Sequence, residues 1–318
     1  MMRVAVWGND LSDGYLRTVT QLGAEAIDMG RGAFFPGVAE QGYPDADALT
    51  ALVRKLRPYG LSFNRVTLPD ITDEFMLGRD GAARELENTC QALRVFADAG
   101  VPIARQRFAG DTFNHRLLKY ESVHRGGYRS RGESRDLGPG DPDPATHERL
   151  EAWWDRFCAV YEKLVPIADE YGIRLAIHPS DTPLPDTPLG TLGFHRVIDA
   201  FPSPNVGYLY CCGTRAEAGG PPLVMDELNL YGRKGRIFTL HLRNVRGNLA
   251  TAGGFEEVLL DDGDMNMARI VRELDRVGFD GCLNPDHLQP IEGDGASAHQ
   301  ALAYSIGYIK ALLAGLAA

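Results

Sequence analysis

The sequence predicts a single (β/α)8 barrel over residues 1–318, with one long loop insert at about 109–144. Three observations carry this. Eight short β-prone runs alternate with helix-like segments, the pattern of parallel strands joined by crossover helices. No linker-like break divides the chain, and 318 residues suffice for one large barrel. A doubly wound open sheet would more often carry a glycine-rich phosphate loop after its first strand. Gly8-Asn-Asp-Leu-Ser-Asp-Gly14 has neither G-x-G-x-x-G nor the Walker spacing.

In order, the first strand is expected at 3–8 and its helix at 13–22. The second strand is 25–30; a Gly/Pro-rich loop leads to a helix at 45–59 that Asp45 starts as a cap. Strand three is 61–68. Its helix, 81–99, places Leu86, Cys90, Leu93 and Ala97 at helical spacing on one buried face, and Gly100 stops it. Strand four is 101–108. The stretch 109–144, rich in Gly, Arg, Ser and Asp, reads as irregular, and a loop of that length is usually a lid, a binding loop or an insert. An amphipathic helix at 145–171 carries Trp153 and Trp154. Then follow strand five (174–178) and helix 191–201, strand six (206–211) and helix 222–232, and strand seven (237–245). A loop with Phe255, Glu256 and Glu257 leads to helix 265–277, strand eight (281–285) and the last helix, 296–316.

Composition narrows the function. Hydrophobic residues are 44% and charged residues 24%, which is globular usage, and no apolar run reaches membrane-span length. The formal net charge of -10 argues against nucleic acid as a partner. Cysteines 90, 158, 211, 212 and 282 are odd in number and sit mostly in apolar settings; that fits a reducing cytoplasm rather than a disulfide framework. Met1-Met-Arg-Val-Ala-Val-Trp7 is too soon interrupted for a signal peptide and reads as the first strand.

The chemistry is expected at the C-terminal ends of strands five to eight, the face on which barrels of this class place their sites. Those ends offer His178, Cys211 or Cys212, His241 and Asp286. Imidazole, thiolate and carboxylate together suit a first-row divalent ion, and a scattered set leaves positions open for substrate. Cys211 and Cys212 cannot both face inward, because neighbouring strand residues alternate. Arg243, two residues past His241, would share its side of an extended strand and grip an anionic substrate in two-pronged fashion. Asn244 either contacts substrate or shapes the turn. His287 is a candidate acid or base, Asp181 could orient a ligand, and Tyr304 reads equally well as a core aromatic. Arg105, Arg107, Arg125, Arg129, Arg131 and Arg135 would suit a carboxylate substrate, against a solvated loop surface as the plain alternative. His115, His124, His147, His195 and His299 read as structural, and Cys90, Cys158 and Cys282 as small packing groups.

The chain resembles the mannonate dehydratase family. The matching runs are Ile177-His-Pro-Ser-Asp-Thr-Pro183, Pro202-Ser-Pro, Gly207-Tyr-Leu-Tyr-Cys-Cys-Gly-Thr214 and His241-Leu-Arg-Asn-Val245. They continue with Asp262-Gly-Asp-Met-Asn-Met267, Pro285-Asp-His287 and Tyr304-Ser-Ile-Gly307. In the first half the agreement is limited to Met76-Leu-Gly-Arg-Asp80, Glu87-Asn88 and Ala99-Gly-Val-Pro-Ile103. The resemblance implies a xylose-isomerase-like barrel and a manganese or iron(II) ion held by His178, Cys211, His241 and Asp286. Cys212 falls where the family usually has threonine. It implies that water is removed from D-mannonate, or a related aldonic acid, to give 2-keto-3-deoxy-D-gluconate, with His287 and Tyr304 at positions suited to proton transfer. It also implies an enzyme of hexuronate catabolism acting on a small sugar acid, expected here to be a homo-oligomer. The chain departs from the pattern at the end of strand four, which reads Arg105-Gln-Arg-Phe-Ala-Gly110 where the family has Asn-Phe-Met-Pro, and at Ser180, where the family tends to aspartate. Arg107 therefore joins Arg243, Asn244 and Asp181 as a candidate substrate contact. A metal-dependent sugar isomerase or epimerase on the same barrel is the alternative; such enzymes more often use acidic metal ligands on several strands. A barrel that only binds a sugar acid or a protein would hold no metal at these strand ends.

Overall fold

The computed structural model describes residues 1–111, 117–135, 145–295 and 298–316. His115, the end of the 109–144 stretch and Ala296, where the sequence places the start of the last helix, lie outside them. In chain order the strands are β1 (Arg3–Trp7), β2 (Ala26–Asp28), β3 (Ser62–Thr67), β4 (Ile103–Arg105), β5 (Leu118–Val123) and β6 (Arg129–Ser134). They continue with β7 (Arg174–Ile177), β8 (Val206–Cys211), β9 (Ile237–His241), β10 (Asn244–Asn248), β11 (Gly254–Val258) and β12 (Cys282–Asn284). Eight of them close into a parallel barrel in the order β1-β12-β9-β8-β7-β4-β3-β2. This is the predicted (β/α)8 fold, and the eight barrel strands are the eight predicted runs; the sixth (206–211) keeps its predicted bounds and the others are trimmed.

Local chemistry places the helices. Ser12 caps Asp13–Leu22 by accepting from the Tyr15 amide, and Asp45 caps Ala46–Leu56 by accepting from Ala48. Thr146 does the same for His147–Tyr171, whose buried stripe stacks Trp153, Phe157 and Tyr161 against the barrel. Phe157 and Tyr161 are fully buried, which stabilises the packing by about 1.5–3 kcal/mol for a ring of this size.

Inside the barrel the side chains form layers. Ile103, Ala176, Leu209 and Phe238 make a small apolar cluster of their own. Two residues further along their strands, on the same face, stand Arg105, His178 and Cys211. A polar layer from other strands crosses the barrel: Asn64 of β3 donates to Thr239 of β9 at 2.9 Å and to Asp28 of β2 at 2.6 Å.

Four expectations are corrected. The 109–144 stretch is not irregular throughout. β5 and β6 form a hairpin and join β10 and β11 in a four-stranded antiparallel sheet, order β10-β11-β6-β5. The loop with Phe255, Glu256 and Glu257 is therefore a strand, β11. Strand seven does not run on to 245: the chain leaves the barrel after His241, and Asn244 opens the hairpin. The sixth helix starts at Cys212 rather than 222. It breaks at Gly220 (φ 75°), where Pro221 and Pro222 cannot continue the upstream hydrogen bonds, and runs on to Arg233.

Candidate metal centre

His178, Cys211 and His241 meet where β7, β8 and β9 end. All three are buried, and one ligand atom from each lies within 4.8 Å of the others. Barrel register makes this happen, for Cys211 and His241 are direct partners across β8 and β9. Cys212 turns the other way, into the hydrophobic core. Asp286 follows β12 and completes a fourth side, with Oδ1 3.5 Å from His241 Nδ1 and Oδ2 4.0 Å from Cys211 Sγ. Its φ is 55°, in the left-handed region that a non-glycine residue adopts only when its surroundings demand it.

Each side chain is set for a cation. His178 Nδ1 donates to the Pro179 carbonyl at 2.7 Å, which leaves the Nε2 lone pair free. Cys211 Sγ accepts from the Thr214 hydroxyl at 3.2 Å and its amide at 3.4 Å, as a thiolate would. Among the described residues, neither ring nitrogen of His241 has a hydrogen-bond partner, although the residue is only 2% exposed. A buried polar atom left unpaired costs about 1–3 kcal/mol, so an imidazole in this position calls for a ligand that the protein does not supply. Two imidazoles, a sulfur and a carboxylate around one point fit a first-row divalent ion.

The electrostatics agree. Burial, with Arg105 nearby, drives the His178 imidazole well below its usual range. Burial likewise lowers His241, to about 3, against the pull of Asp286. Both are neutral at ordinary pH, the form that binds metal. Burial alone would raise the Asp286 carboxyl, but His241, His287 and Arg243 outweigh it and hold it ionised. Burial pushes the Cys211 thiol up to about 11, against Arg243; a bound cation would reverse that shift.

The other predicted residues divide. His287 lines the cavity; its Nδ1 bonds Glu257 at 2.7 Å and its Nε2 lies 3.8 Å from Asp286. Asp286 raises its pKa against desolvation, and Glu257 adds to the rise. Asp181 and Arg107 stand at the cavity wall, Asp181 3.4 Å from His178 Nδ1 and Arg107 3.8 Å from Asp70.

Three of the predicted residues have their polar groups engaged by protein. Arg243 lines the cavity, but all its nitrogens are engaged by protein: Nε with Asp286 at 3.0 Å, Nη1 with Glu217 and with Glu257 at 3.2 Å, Nη2 with Thr214 at 3.0 Å. It is a buttress for the carboxylates around the metal site, with no fork left for substrate. Asn244 is a turn-former. Its amide nitrogen donates to the Leu260 and Met265 carbonyls, and its oxygen accepts from the Val245 and Met265 amides. Tyr304 is outside the cavity lining; its hydroxyl donates to Asp261 at 2.5 Å.

The cavity over His178, His241 and Asp286 encloses about 290 Å³. Arg105, Arg107, Lys119, Arg131 and Arg243 outnumber Glu133, Asp181 and Asp286 on its walls. Lys119, Arg131 and Glu133 come from the β5–β6 hairpin, so the antiparallel sheet roofs the metal site. Sequence reasoning missed Trp7, Lys119, Glu133, Thr214, Glu217 and Glu257. Of these Glu257 was the findable one: Phe255 and Glu257 alternate with outward residues in a β-prone run.

Comparison with known proteins follows the same residues. The family model for D-mannonate dehydratase (UxuA) matches residues 146–318, more than half of the chain and all four candidate ligands. Mannonate dehydratase 2 of Halalkalibacterium halodurans is 26% identical over 290 residues, covering 81% of this chain and 82% of that protein. The crystal structure of mannonate dehydratase from Streptococcus suis serotype2 superposes with a TM-score of 0.81 at 21% identity, over 98% of this chain and 94% of that one. A xylose isomerase domain protein from Alicyclobacillus acidocaldarius shares the fold at a TM-score of 0.63 and 17% identity, over 99% of both chains. With the barrel, the ligand-bearing strand ends and the matched region coinciding, the chain belongs to the D-mannonate dehydratase family.

Proposed function

We propose that this chain is a divalent-metal-dependent hydro-lyase that dehydrates a sugar acid, D-mannonate or a related aldonic acid, to the 2-keto-3-deoxy acid. One observation carries the reading. His241 is buried with neither ring nitrogen hydrogen-bonded among the described residues, beside His178, Cys211 and Asp286, at the floor of a cation-rich cavity.

His178, Cys211, His241 and Asp286 would hold the ion, manganese or iron(II) by ligand type. Bound there, it would fix substrate oxygens and spread the negative charge that develops as the proton beside the carboxylate leaves. The protein's own groups supply the rest. Arg105, Arg107 and Lys119 draw an anionic substrate to the wall. His287, oriented by Glu257 through Nδ1, presents Nε2 to the cavity and can exchange a proton with the substrate. The roof sheet narrows access to water. A mixed His/Cys/His/Asp set favours this over a sugar isomerase, for which more carboxylate ligands are expected. The setting we propose is a cytoplasmic homo-oligomer serving hexuronate breakdown.

The test is direct. Manganese-loaded protein incubated with a panel of aldonic acids should release a 2-keto-3-deoxy acid from at least one of them. Solvent deuterium entering the substrate without loss of water would instead identify an isomerase, and no keto acid from any member would overturn the proposal.

A further inference from the structure

The left-handed backbone of Asp286 is held by contacts that begin outside the metal site. Its amide donates to Asn284 Oδ1 at 2.8 Å, and its carbonyl accepts from Trp7 Nε1 at 3.1 Å. Both polar groups of the peptide unit at φ 55° are thus tied to other side chains. Asn284 is itself fixed: its Nδ2 donates at 2.7 Å to Asp28 Oδ2, on β2 at the barrel's far side in sequence. Asp28 is fully buried, and its other oxygen accepts from Asn64 at 2.6 Å. Arg65 stands 4.0 Å from Asp28 and lies over the Trp7 ring at 5.1 Å, so one buried cation steadies both arms. The Trp7 ring also meets the His241 ring edge-on, at 5.4 Å between centroids.

This arrangement does more than fill the barrel. An apolar layer would pack as well and leave no buried charge to satisfy. Asn284 and the Trp7 indole N–H, with Asp28 and Asn64 behind Asn284, hold the one non-glycine residue at a barrel-strand end with a positive φ, among the described residues. Strain of this kind persists only where the surroundings over-determine it. Relaxed to an extended conformation, Asp286 would turn its carboxylate away from His241 and Cys211.

We propose that Asp28, acting through Asn284, and Trp7 are positioning residues that clamp Asp286 in the conformation that presents its carboxylate to the metal. The inference rests on the reading of Asp286 as a ligand. Partners behind a metal ligand typically set affinity by about tenfold to a hundredfold.

The test uses the full-length protein and Mn2+ alone, with free ion followed by electron paramagnetic resonance. Asp28→Ala and Asn284→Ala should each weaken Mn2+ binding by about tenfold or more. The double variant should be no weaker than the worse single, because both act through one contact chain. Trp7→Phe, which keeps an aromatic ring but removes the indole N–H donor along with the five-membered ring, should weaken binding about three- to tenfold while the metal-free protein still melts cooperatively; it serves if Asp28→Ala does not fold. Wild-type affinity in Asp28→Ala or in Trp7→Phe, or losses that multiply in the double variant, would overturn the clamp. Asp286→Asn separates the two readings: unchanged affinity there removes the ligand assignment, and the clamp with it. A loss there beside wild-type affinity in the clamp variants removes the clamp alone.

Discussion

Single side chains decide this site because it is packed without slack. His241 is the sharpest case. Among the described residues neither of its nitrogens has a hydrogen-bond partner, and the carboxylate of Asp286 stands 3.5 Å from Nδ1, a setting that suits an ion. His241→Ala should therefore lose more than about a hundredfold in Mn2+ affinity, beyond the range of second-layer effects. Elemental analysis of protein purified without chelator checks this; equal metal in the variant and the wild type would remove the basis for the site. Gly213 is a quieter case. A Cβ there would fall 2.4 Å from Arg243 Cγ and Cζ, so only glycine leaves room for the guanidinium that buttresses Asp286, Glu217 and Glu257. Gly213→Ala should cost about 1–3 kcal/mol of stability from overpacking. Activity should fall about tenfold or more as Asp286 loses its support. Thermal melts and kcat measured together would show it, and wild-type values for both would mean that Arg243 moves aside freely. The candidate ligands could be named from the sequence, because a barrel puts the ends of its strands in one place and four neighbouring ends carried ligand types. Their partners could not. Glu217, Glu257 and Trp7 reach the site from a helix, a hairpin and β1, and no spacing along the chain connects them.

At the scale of elements, the roof sheet is the part that sequence reasoning misjudged. Arg129-Ser-Arg-Gly-Glu-Ser134 has little β-propensity, and it pairs with Gly254–Glu256 more than a hundred residues away. Its hairpin partner β5 is close in sequence, but the pairing with β11 joins distant segments and leaves no local trace. The roof is tied down at one corner. Arg125, in the hairpin turn, makes two bonds of 2.6 Å to Asp261, and Tyr304 of the last helix donates to the same carboxylate. Exposed pairs of this kind contribute little to global stability, so the corner should matter for roof position more than for folding. Tyr304→Phe should keep kcat within about threefold while KM rises about two- to tenfold, as expected of a contact that closes a cover. Steady-state kinetics on the productive aldonic acid measures both. A fall in kcat of two orders with KM unchanged would return Tyr304 to a role in proton transfer.

For the whole molecule, the question is whether the ion builds the fold or occupies a fold already built. The main hydrophobic core runs from β1 to the last helix and packs outside the barrel strands, with a separate apolar cluster inside them. The candidate ligands sit at one end of this framework, where only Cys211 and His241 take part in strand pairing, each as the last residue of its strand. The periodic apolar runs that made the barrel legible in the sequence are thus the same residues that hold it without metal. Chelator-stripped protein should keep its far-ultraviolet circular dichroism. Restoring Mn2+ to a hundred times its dissociation constant should add about 2.7 kcal/mol to the native state by mass action. For a chain of this size that raises the melting temperature by roughly 3–8 °C. His241→Ala should melt near the stripped wild type and show no response to Mn2+, which ties the shift to this site and not to ions on the acidic surface. A stripped protein that loses its secondary structure would mean that the ion organises the barrel. A wild-type melting temperature indifferent to Mn2+ would mean that no ion binds between these four side chains.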